Sequence, residues 1–325
     1  MVVINLWNPS NVDLASALII SFLLGLVHGI TPDEHTWPIT FSYSVNQRGS
    51  KEGARAGMIF ASGFTIQRAV MSEVAYFALA GIFLTAVSFG LTYIFVGIAM
   101  AAAGVYFARR KGYFHIHILE RKLESLLRIH ESGSADQKGE MEHTTNPLSS
   151  RDGILNNEPI PAKLAFIHGL IAGFGFGAFA LILYLVIAPT MPSPWLGFLP
   201  GLLFGLGTMA MQLMFGAFFV SLTRRVGRLT EIGISFVTSR ISMNVLLYGG
   251  IAFILSGFAI LFYPSLMDIG FTTGIKVHNL HNLGIGFFLV LFSVGIIGII
   301  SFILSVRKAR ELGLVVKREG IAETT

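Results

Sequence analysis

The chain of 325 residues contains no cysteine, and few of its residues are charged. The absence of cysteine excludes disulfide bonds, iron–sulfur clusters, thiolate metal sites and a membrane carrier of thiol electrons. Charged residues make up 13% of the sequence, about half of the share that is usual in soluble domains. Because so few charges cannot cover a soluble globule, a cytosolic enzyme is excluded, and an apolar share of 53% excludes a disordered chain.

Long apolar runs take the place of the missing charges. The mean hydropathy is +0.70, which predicts an all-α, polytopic membrane protein. The residues before Asp13 include no Lys or Arg, so we expect the first run to be a retained helix rather than a cleaved signal peptide. Runs long enough to cross a bilayer lie at 14–45, 57–85, 89–108, 163–189, 196–222, 236–262 and 279–306.

Two of these runs are interrupted. The first contains GITPDEH from Gly29 to His35, and a proline with two acids does not fit a continuous helix facing lipid. The fourth contains GFGFG from Gly173 to Gly177, where three glycines at alternate positions weaken a helix. We therefore predict that the first and fourth membrane passes are broken helices.

The basic residues predict the membrane topology. If the chain crosses seven times, nearly all of its 23 Lys and Arg residues fall on one side, and only Lys276 falls on the other. Arg68 and Arg240 lie within runs. Cytoplasmic loops are enriched in Lys and Arg, so we expect an extracellular N-terminus and a cytoplasmic C-terminus in the cell membrane. The net charge of +5 follows from this topology and does not indicate nucleic-acid binding.

The same runs suggest two related halves. Residues 1–108 form a first three-helix repeat, 109–162 a cytoplasmic linker, 163–262 a second repeat, and 263–325 a seventh helix with a basic tail. Each half begins with a broken run that carries a His-Gly pair, at His28 and at His168. These features predict a 3+3 inverted-topology repeat. Four histidines of the linker either buffer metal or are incidental: His115, His117, His130 and His143.

The strongest local signal is the segment from His28 to His35, HGITPDEH. A carboxylate at membrane depth costs on the order of 2.5–3.5 kcal/mol, so Asp33 needs a metal ion, a proton or an arginine as partner. Imidazole nitrogens with a carboxylate suit Ni²⁺, Co²⁺, Zn²⁺ or Fe²⁺. We therefore expect His28, Asp33 and His35 to bind metal. The alternative is a proline kink in which Asp33 caps the following helix.

The HGITPDEH segment resembles the signature of nickel/cobalt transporters of the NicO and NiCoT kind, within the LysE-type transporter group. Their first half carries His-x4-Asp-His, which His28 and Asp33 match directly and His35 matches across the additional residue Glu34. The GARAG segment at 53–57 is also similar, whereas FTIQ at 64–67 lacks the histidine-bearing motif of that helix. The resemblance implies a divalent-cation transporter, with nickel or cobalt favoured, and does not imply a direction of transport.

Other polar residues of the apolar runs are candidates for the same site. Arg68 is expected to pair with Asp33 or Glu34, or else to clamp the bundle together. Glu73 is a candidate ligand or proton carrier, Glu34 is a candidate proton carrier, and His168 could complete the site from the second half. His278 and His281, at i and i+3, could form an outer vestibule together with Asp268. The alternative for these last histidines is ordinary chemistry at the start of a helix.

Three functions remain open at this point. The first is secondary transport of a divalent metal by alternating access, coupled to protons, with the metal as substrate and no tightly bound cofactor. The second is an intramembrane metal-dependent hydrolase, which would need His278 and His281 to join His28. The third is transport of another small solute. Because no nucleotide-binding motif is present, direct use of ATP is not expected, and the expected partners are membrane lipid, the cation and protons. No enzyme activity is expected under the first hypothesis, and the sequence does not indicate an oligomeric state.

Overall fold

The computed structural model describes residues 5–7, 9, 12–77, 85–110, 161–175, 177–225, 229–278 and 280–315. Helices account for most of these residues, and the one sheet among them is a two-stranded hairpin. The all-α prediction is therefore confirmed at this level. The predicted linker with its four histidines lies almost entirely outside the described residues.

The first predicted break is confirmed. Helix α1 spans Leu14–Ile30 and is capped by Asp13, whose Oδ1 accepts the Ser16 N–H at 3.0 Å. The chain leaves the helix at Thr31, whose extended backbone is the conformation that a following proline imposes. Helix α2 then spans Trp37–Val45, with a proline in its first turn.

Two uninterrupted helices follow, α3 at Ser50–Tyr76 and α4 at Ala86–Arg110. Helix α3 begins seven residues before the apolar run at 57–85, because its first turns are polar and carry Lys51 and Glu52. At its other end the helix is shorter than the predicted run, because α3 ends at Tyr76.

The second predicted break is also confirmed. Helix α5 spans Ala162–Ala172 and ends at Gly173. Helix α6 at Ala178–Leu181 follows the glycine segment and continues as a π-helix at Ile182–Ile187 and a 3₁₀ turn at Ala188–Thr190. Another 3₁₀ turn, Pro194–Leu196, leads into α7.

The remaining elements are two long helices, a hairpin and a last helical pass. Helix α7 spans Leu199–Arg225 and α8 spans Glu231–Phe262. Strands β1 and β2 pair antiparallel, with Phe271 opposite Leu283. The strands and the last pass have these bounds: β1 Gly270–Thr272, β2 Asn282–Gly284, α9 Ile285–Val290, a π-helix Leu291–Ile297 and α10 Gly298–Glu311.

Within the described ranges, four helices are long and apolar enough to cross a membrane. They are Ala86–Arg109, Pro194–Leu222, Glu231–Phe262 and Ile285–Glu311. The two broken passes contribute shorter apolar helices, and α3 is long but contains Arg68 and Glu73. The protein is therefore a helical membrane-embedded protein.

Glycines allow the helices to pack backbone to backbone. Helix α3 packs along α7 and α4 packs along α8, where Gly53 meets Gly216 and Gly97 meets Gly250. A side chain at any of these positions would collide with the backbone of the facing helix. Close approach through small residues is how membrane helices gain packing energy when lipid is as apolar as the protein.

The bundle has two distinguishable ends. We call the end that carries the 263–284 segment the hairpin end; α1, α4, α7 and α9 begin there, and α3 and α8 finish there. The opposite end is closed by contacts between helix termini. Ser50 lies 2.8 Å from Ser221 between their hydroxyl oxygens, and Leu229 pairs with Val315.

Candidate metal centre

The turn between α1 and α2 is organised by Asp33. Its Oδ1 accepts the backbone N–H of His35 at 3.0 Å, and its carbonyl accepts those of Thr36 and Trp37 at 3.3 and 3.0 Å. Asp33 therefore does not cap the helix as the alternative interpretation had it, because the N-cap of α2 is Thr36, whose side chain makes no capping hydrogen bond. Asp33 instead holds the turn before the helix with one carboxylate oxygen, which leaves Oδ2 available.

The turn brings the ionisable side chains together. One ligand atom from each of Asp33, Glu34 and His35 can be chosen so that all lie within 4.8 Å of one another. His28 Nδ1 lies 3.7 Å from Asp33 Oδ2, and His35 Nδ1 lies 3.4 Å from Glu34 Oε1. On an unbroken helix, five residues would turn Asp33 about 140° away from His28, so the break creates this cluster.

His28 occupies an aromatic box. Its ring centroid lies 5.7, 5.8 and 5.1 Å from those of Phe64, Phe179 and Phe204. The side chain is 2% exposed, and neither ring nitrogen has a hydrogen-bond partner among the described residues. The same holds for His35 Nε2. Buried polar atoms are nearly always hydrogen-bonded. These nitrogens have no such bond among the described residues, so they are available as metal ligands.

Glu34 connects the cluster to a cavity of about 250 Å³ near the hairpin end. Its side chain is 15% exposed, whereas those of Asp33 and His28 are only 2% exposed. The Tyr93 hydroxyl donates a hydrogen bond to Glu34 Oε1 at 3.1 Å, and Gly286 leaves room for the carboxylate. Glu34 therefore belongs to the cluster itself and is the member that faces the cavity.

His278 and His281 line the same cavity. The Trp7 ring stacks on His278 at 4.3 Å and meets His281 edge-on at 4.8 Å. Burial lowers the pKa of His278, the positive charge of His281 lowers it further, and the Trp7 carbonyl, 3.2 Å from Nε2, opposes both. Both histidines line one cavity, whereas Asp268 is exposed and does not line it, and the outer vestibule stays a prediction.

The Phe179 ring lies between His28 and His278. Its ring centroid lies 5.8 Å from that of His28 and 5.3 Å from that of His278. The two imidazoles therefore each contact the same aromatic ring rather than each other. His278 and His281 do not join His28 in the single cluster that the hydrolase hypothesis requires.

The predicted pairing of Arg68 with Asp33 or Glu34 is wrong in this structure. Arg68 is 1% exposed, and its Nη1 donates to the Tyr184 hydroxyl at 3.0 Å. Its guanidinium also lies 4.6 Å from the centre of the Phe64 ring, a cation–π distance. Helix α3 faces α7 and the second broken pass at this level, so the arginine clamps helices together, as the other interpretation of the sequence had it.

His168 and Glu73 lie apart from the cluster as well. His168 Nδ1 is 2.6 Å from the Tyr43 hydroxyl. This contact places the His168 ring against α2, between the break and the end opposite the hairpin. Glu73 lies near the end of α3 against Gly197, and its Oε2 has no hydrogen-bond partner among the described residues. The segment that follows α5 reaches the cluster through Gly175, which lies directly against the His35 ring.

Comparison of this chain with family models, with curated proteins and with solved structures gives no match. The resemblance of HGITPDEH to nickel/cobalt transporters therefore stays a hypothesis from the motif alone.

Proposed function

We propose that this protein is a secondary transporter of a divalent transition-metal cation. The observation that carries the proposal is the buried cluster of His28, Asp33, Glu34 and His35 at the break of the first pass. Two carboxylates at this depth are costly, and a divalent cation offsets their charge. The ring nitrogens that lack hydrogen bonds supply further ligands.

The donor set favours ions of intermediate softness. Two imidazoles and two carboxylates suit Ni²⁺ and Co²⁺, with Zn²⁺ and Fe²⁺ as further candidates, and suit Mg²⁺ or Ca²⁺ less well. The cysteine-free sequence offers no thiolate that would favour Cu⁺. The resemblance of the motif to nickel/cobalt transporters agrees with this choice.

A 3+3 inverted repeat is supported by the register of the helix contacts. Gly25 on α1 lies against Phe204 on α7, and Gly169 on α5 lies against Phe60 on α3. The second glycine follows the first by 144 positions, and Phe204 follows Phe60 by the same 144. An exchange of the two halves therefore maps one contact onto the other.

The same shift relates other contacts. Gly63 lies against Phe166, and Gly207 lies against Phe22, again 144 positions apart in both members. Each half contains three passes, an odd number, so the related passes run in opposite directions. This is the arrangement in which paired broken helices form a substrate site between the halves.

The distribution of charge supports the proposed topology of seven crossings. Described basic residues gather at the end opposite the hairpin: Arg48, Lys51, Arg55, Arg109, Lys163, Arg307, Lys308 and Arg310. Lys276 is the basic residue of the described hairpin end. The positive-inside rule then places the hairpin end outside the cell and the opposite end in the cytoplasm.

The contact between the two breaks supports alternating access. Gly175 of the second half touches His35 of the first, and Phe179 touches His28. A rocking motion of one half would move these residues relative to the ligands and expose the cluster to either side. Proton exchange through Asp33, Glu34 or Glu73 supplies the energy.

The proposal is tested by metal flux into liposomes that contain the purified protein and a trapped metal indicator. We expect Ni²⁺ or Co²⁺ to enter faster than Ca²⁺ or Mg²⁺, and an imposed pH gradient to change the rate. Liposomes with the His28→Ala variant are the control. Entry no faster than into protein-free liposomes for every ion would reject metal transport and favour another solute, and equal entry with the natural and variant proteins above that background would reject the role of His28.

The topology is tested by labelling two single-cysteine variants in intact cells, since the natural chain has no competing thiol. Lys276→Cys and Lys51→Cys both replace an exposed lysine, at the hairpin end and at the opposite end respectively. We expect an impermeant maleimide to label the first alone, and to label the second after the cells are opened. Labelling of both in intact cells would contradict seven crossings.

A further inference from the structure

Helix α2 carries a polar face that starts at the metal cluster. Thr36 at the N-cap, Thr40 and Tyr43 recur every three or four residues, so they lie on one side of the helix, and Gln47 follows two residues after the helix ends. The first three are at most 1% exposed, and Gln47 is partly exposed beside Arg48 at the end opposite the hairpin. The face therefore runs from the buried cluster to the basic end of the bundle.

The threonine hydroxyls of this face are unusual for the molecule. Several other buried helical hydroxyls donate to the carbonyl four residues earlier, as Ser42 does to Pro38 at 2.8 Å and Thr65 to Ala61 at 2.7 Å, and Ser72 donates to the Gly197 carbonyl at 2.7 Å. Thr36 Oγ1 and Thr40 Oγ1 have no hydrogen-bond partner among the described residues. Their oxygens are therefore available to a ligand.

Further along the face, the polar groups belong to both halves of the protein. The Tyr43 hydroxyl meets His168 Nδ1 at 2.6 Å, and the Gln47 amide donates to the Tyr43 carbonyl at 3.0 Å. His168 thus contributes to this face although it does not reach the metal cluster. The face lies at the junction between α2 and α5, where motion of one half against the other would open it.

The remaining sides of α2 are used for packing. Ile39 and Val45 are fully buried in apolar clusters. The carbonyl of Ser42 accepts the Ser242 hydroxyl at 2.7 Å, and Asn46 Oδ1 accepts the Ser239 hydroxyl at 3.0 Å, both from α8. These contacts hold α2 to α8. The polar face that contains Thr36 and Thr40 has no hydrogen bond to α8 among the described residues.

We infer that the face formed by Thr36, Thr40, Tyr43 and Gln47 is the path by which a partly hydrated divalent cation passes between the metal cluster and the end opposite the hairpin. The inference rests on the proposed function. Neutral hydroxyl oxygens replace water around the ion but bind it weakly. Conduction requires this combination, because a site must be favourable enough to enter and weak enough to leave.

The path is tested by comparing Ni²⁺ binding with Ni²⁺ flux in Thr40→Val, which keeps the shape of the side chain and removes its hydroxyl. We expect affinity in detergent to stay within about twofold of the natural protein and flux into liposomes to fall about tenfold. Thr40→Ser should restore flux. Thr65→Val, at a hydroxyl already bonded within its own helix, is the matched control. Unchanged flux in Thr40→Val, or an equal loss in Thr65→Val, would overturn the inference.

A second measurement keeps the path separate from the choice of metal. The measurement compares the variants Thr40→Cys and Ile39→Cys. Thr40 and Ile39 are adjacent, and both are fully buried in this structure. We expect a small, water-soluble thiol reagent to modify Thr40→Cys about tenfold faster, because the position lines a hydrated path in the open state. Equal rates would overturn the path. If the natural protein neither binds nor carries Ni²⁺ while the rates still differ, the choice of metal fails and the path stands.

Discussion

Replacing Asp33 with Asn is expected to weaken Ni²⁺ and Co²⁺ binding at least about tenfold while the protein remains folded. The carboxylate oxygen Oδ2, 3.7 Å from His28 Nδ1, is the group that faces the other ligands. An amide at this position removes the negative charge that a cation neutralises. Binding is measured by isothermal titration calorimetry, and folding by the thermal unfolding midpoint in detergent.

This variant separates the metal role of Asp33 from its structural role. The amide oxygen of the Asp33→Asn side chain can still accept the His35 N–H, so the hydrogen bond that holds the turn would survive. Asp33→Ala removes both this hydrogen bond and the charge, and we expect it to lose stability as well as binding. If Asp33→Asn binds and transports these ions like the natural protein, the carboxylate only holds the turn, and the substrate site lies elsewhere.

His28 allows an equally sharp control. Its ring sits among Phe64, Phe179 and Phe204, so His28→Phe preserves an aromatic side chain in an aromatic box. The substitution removes two buried nitrogens that have no hydrogen bond within the described structure. We expect an unfolding midpoint at or above that of the natural protein, together with loss of metal binding. A lower midpoint with intact binding would show that His28 is structural.

The features of the site that the sequence predicted are those set by local geometry. Pro32 excludes a helical conformation at Thr31, and the glycines from Gly173 to Gly177 interrupt the fourth pass, so both breaks could be located without a structure. The proximity of His28 to Asp33 follows from the first break. This prediction required only that a turn replace the helix between His28 and Asp33.

The features that the sequence did not predict depend on contacts between distant segments. Arg68 meets Tyr184, and His168 meets Tyr43, across separations of 116 and 125 residues. Nothing in the local pattern indicates which aromatic ring a buried cation will face. The roles of Tyr93 and Gly175 beside the cluster carry no sequence signal of their own, although the glycine belongs to a segment that was already expected to be broken.

Alanine at Gly25 or Gly169 is expected to lower the unfolding midpoint strongly, and by similar amounts. A methyl group at Gly25 would collide with the Phe204 carbonyl, and one at Gly169 with the Phe60 carbonyl. Carbonyl groups of a helix cannot turn aside, so the paired helices must separate. Overpacking of this kind costs about 1–3 kcal/mol, and the separated helices also forfeit the dispersion energy of their close backbone packing.

Gly298→Ala is the matched control, since Gly298 is also a helical glycine but its nearest neighbours would lie at an ordinary 3.7 Å from the added methyl. There the better helix propensity of alanine, about 0.5–1 kcal/mol, should leave the midpoint unchanged or raise it. Similar losses at Gly25 and Gly169 are expected because an exchange of the two proposed halves maps one glycine onto the other. If one of the two variants unfolds like Gly298→Ala while the other is destabilised, the two contacts are not equivalent, and the paired register of the halves is wrong.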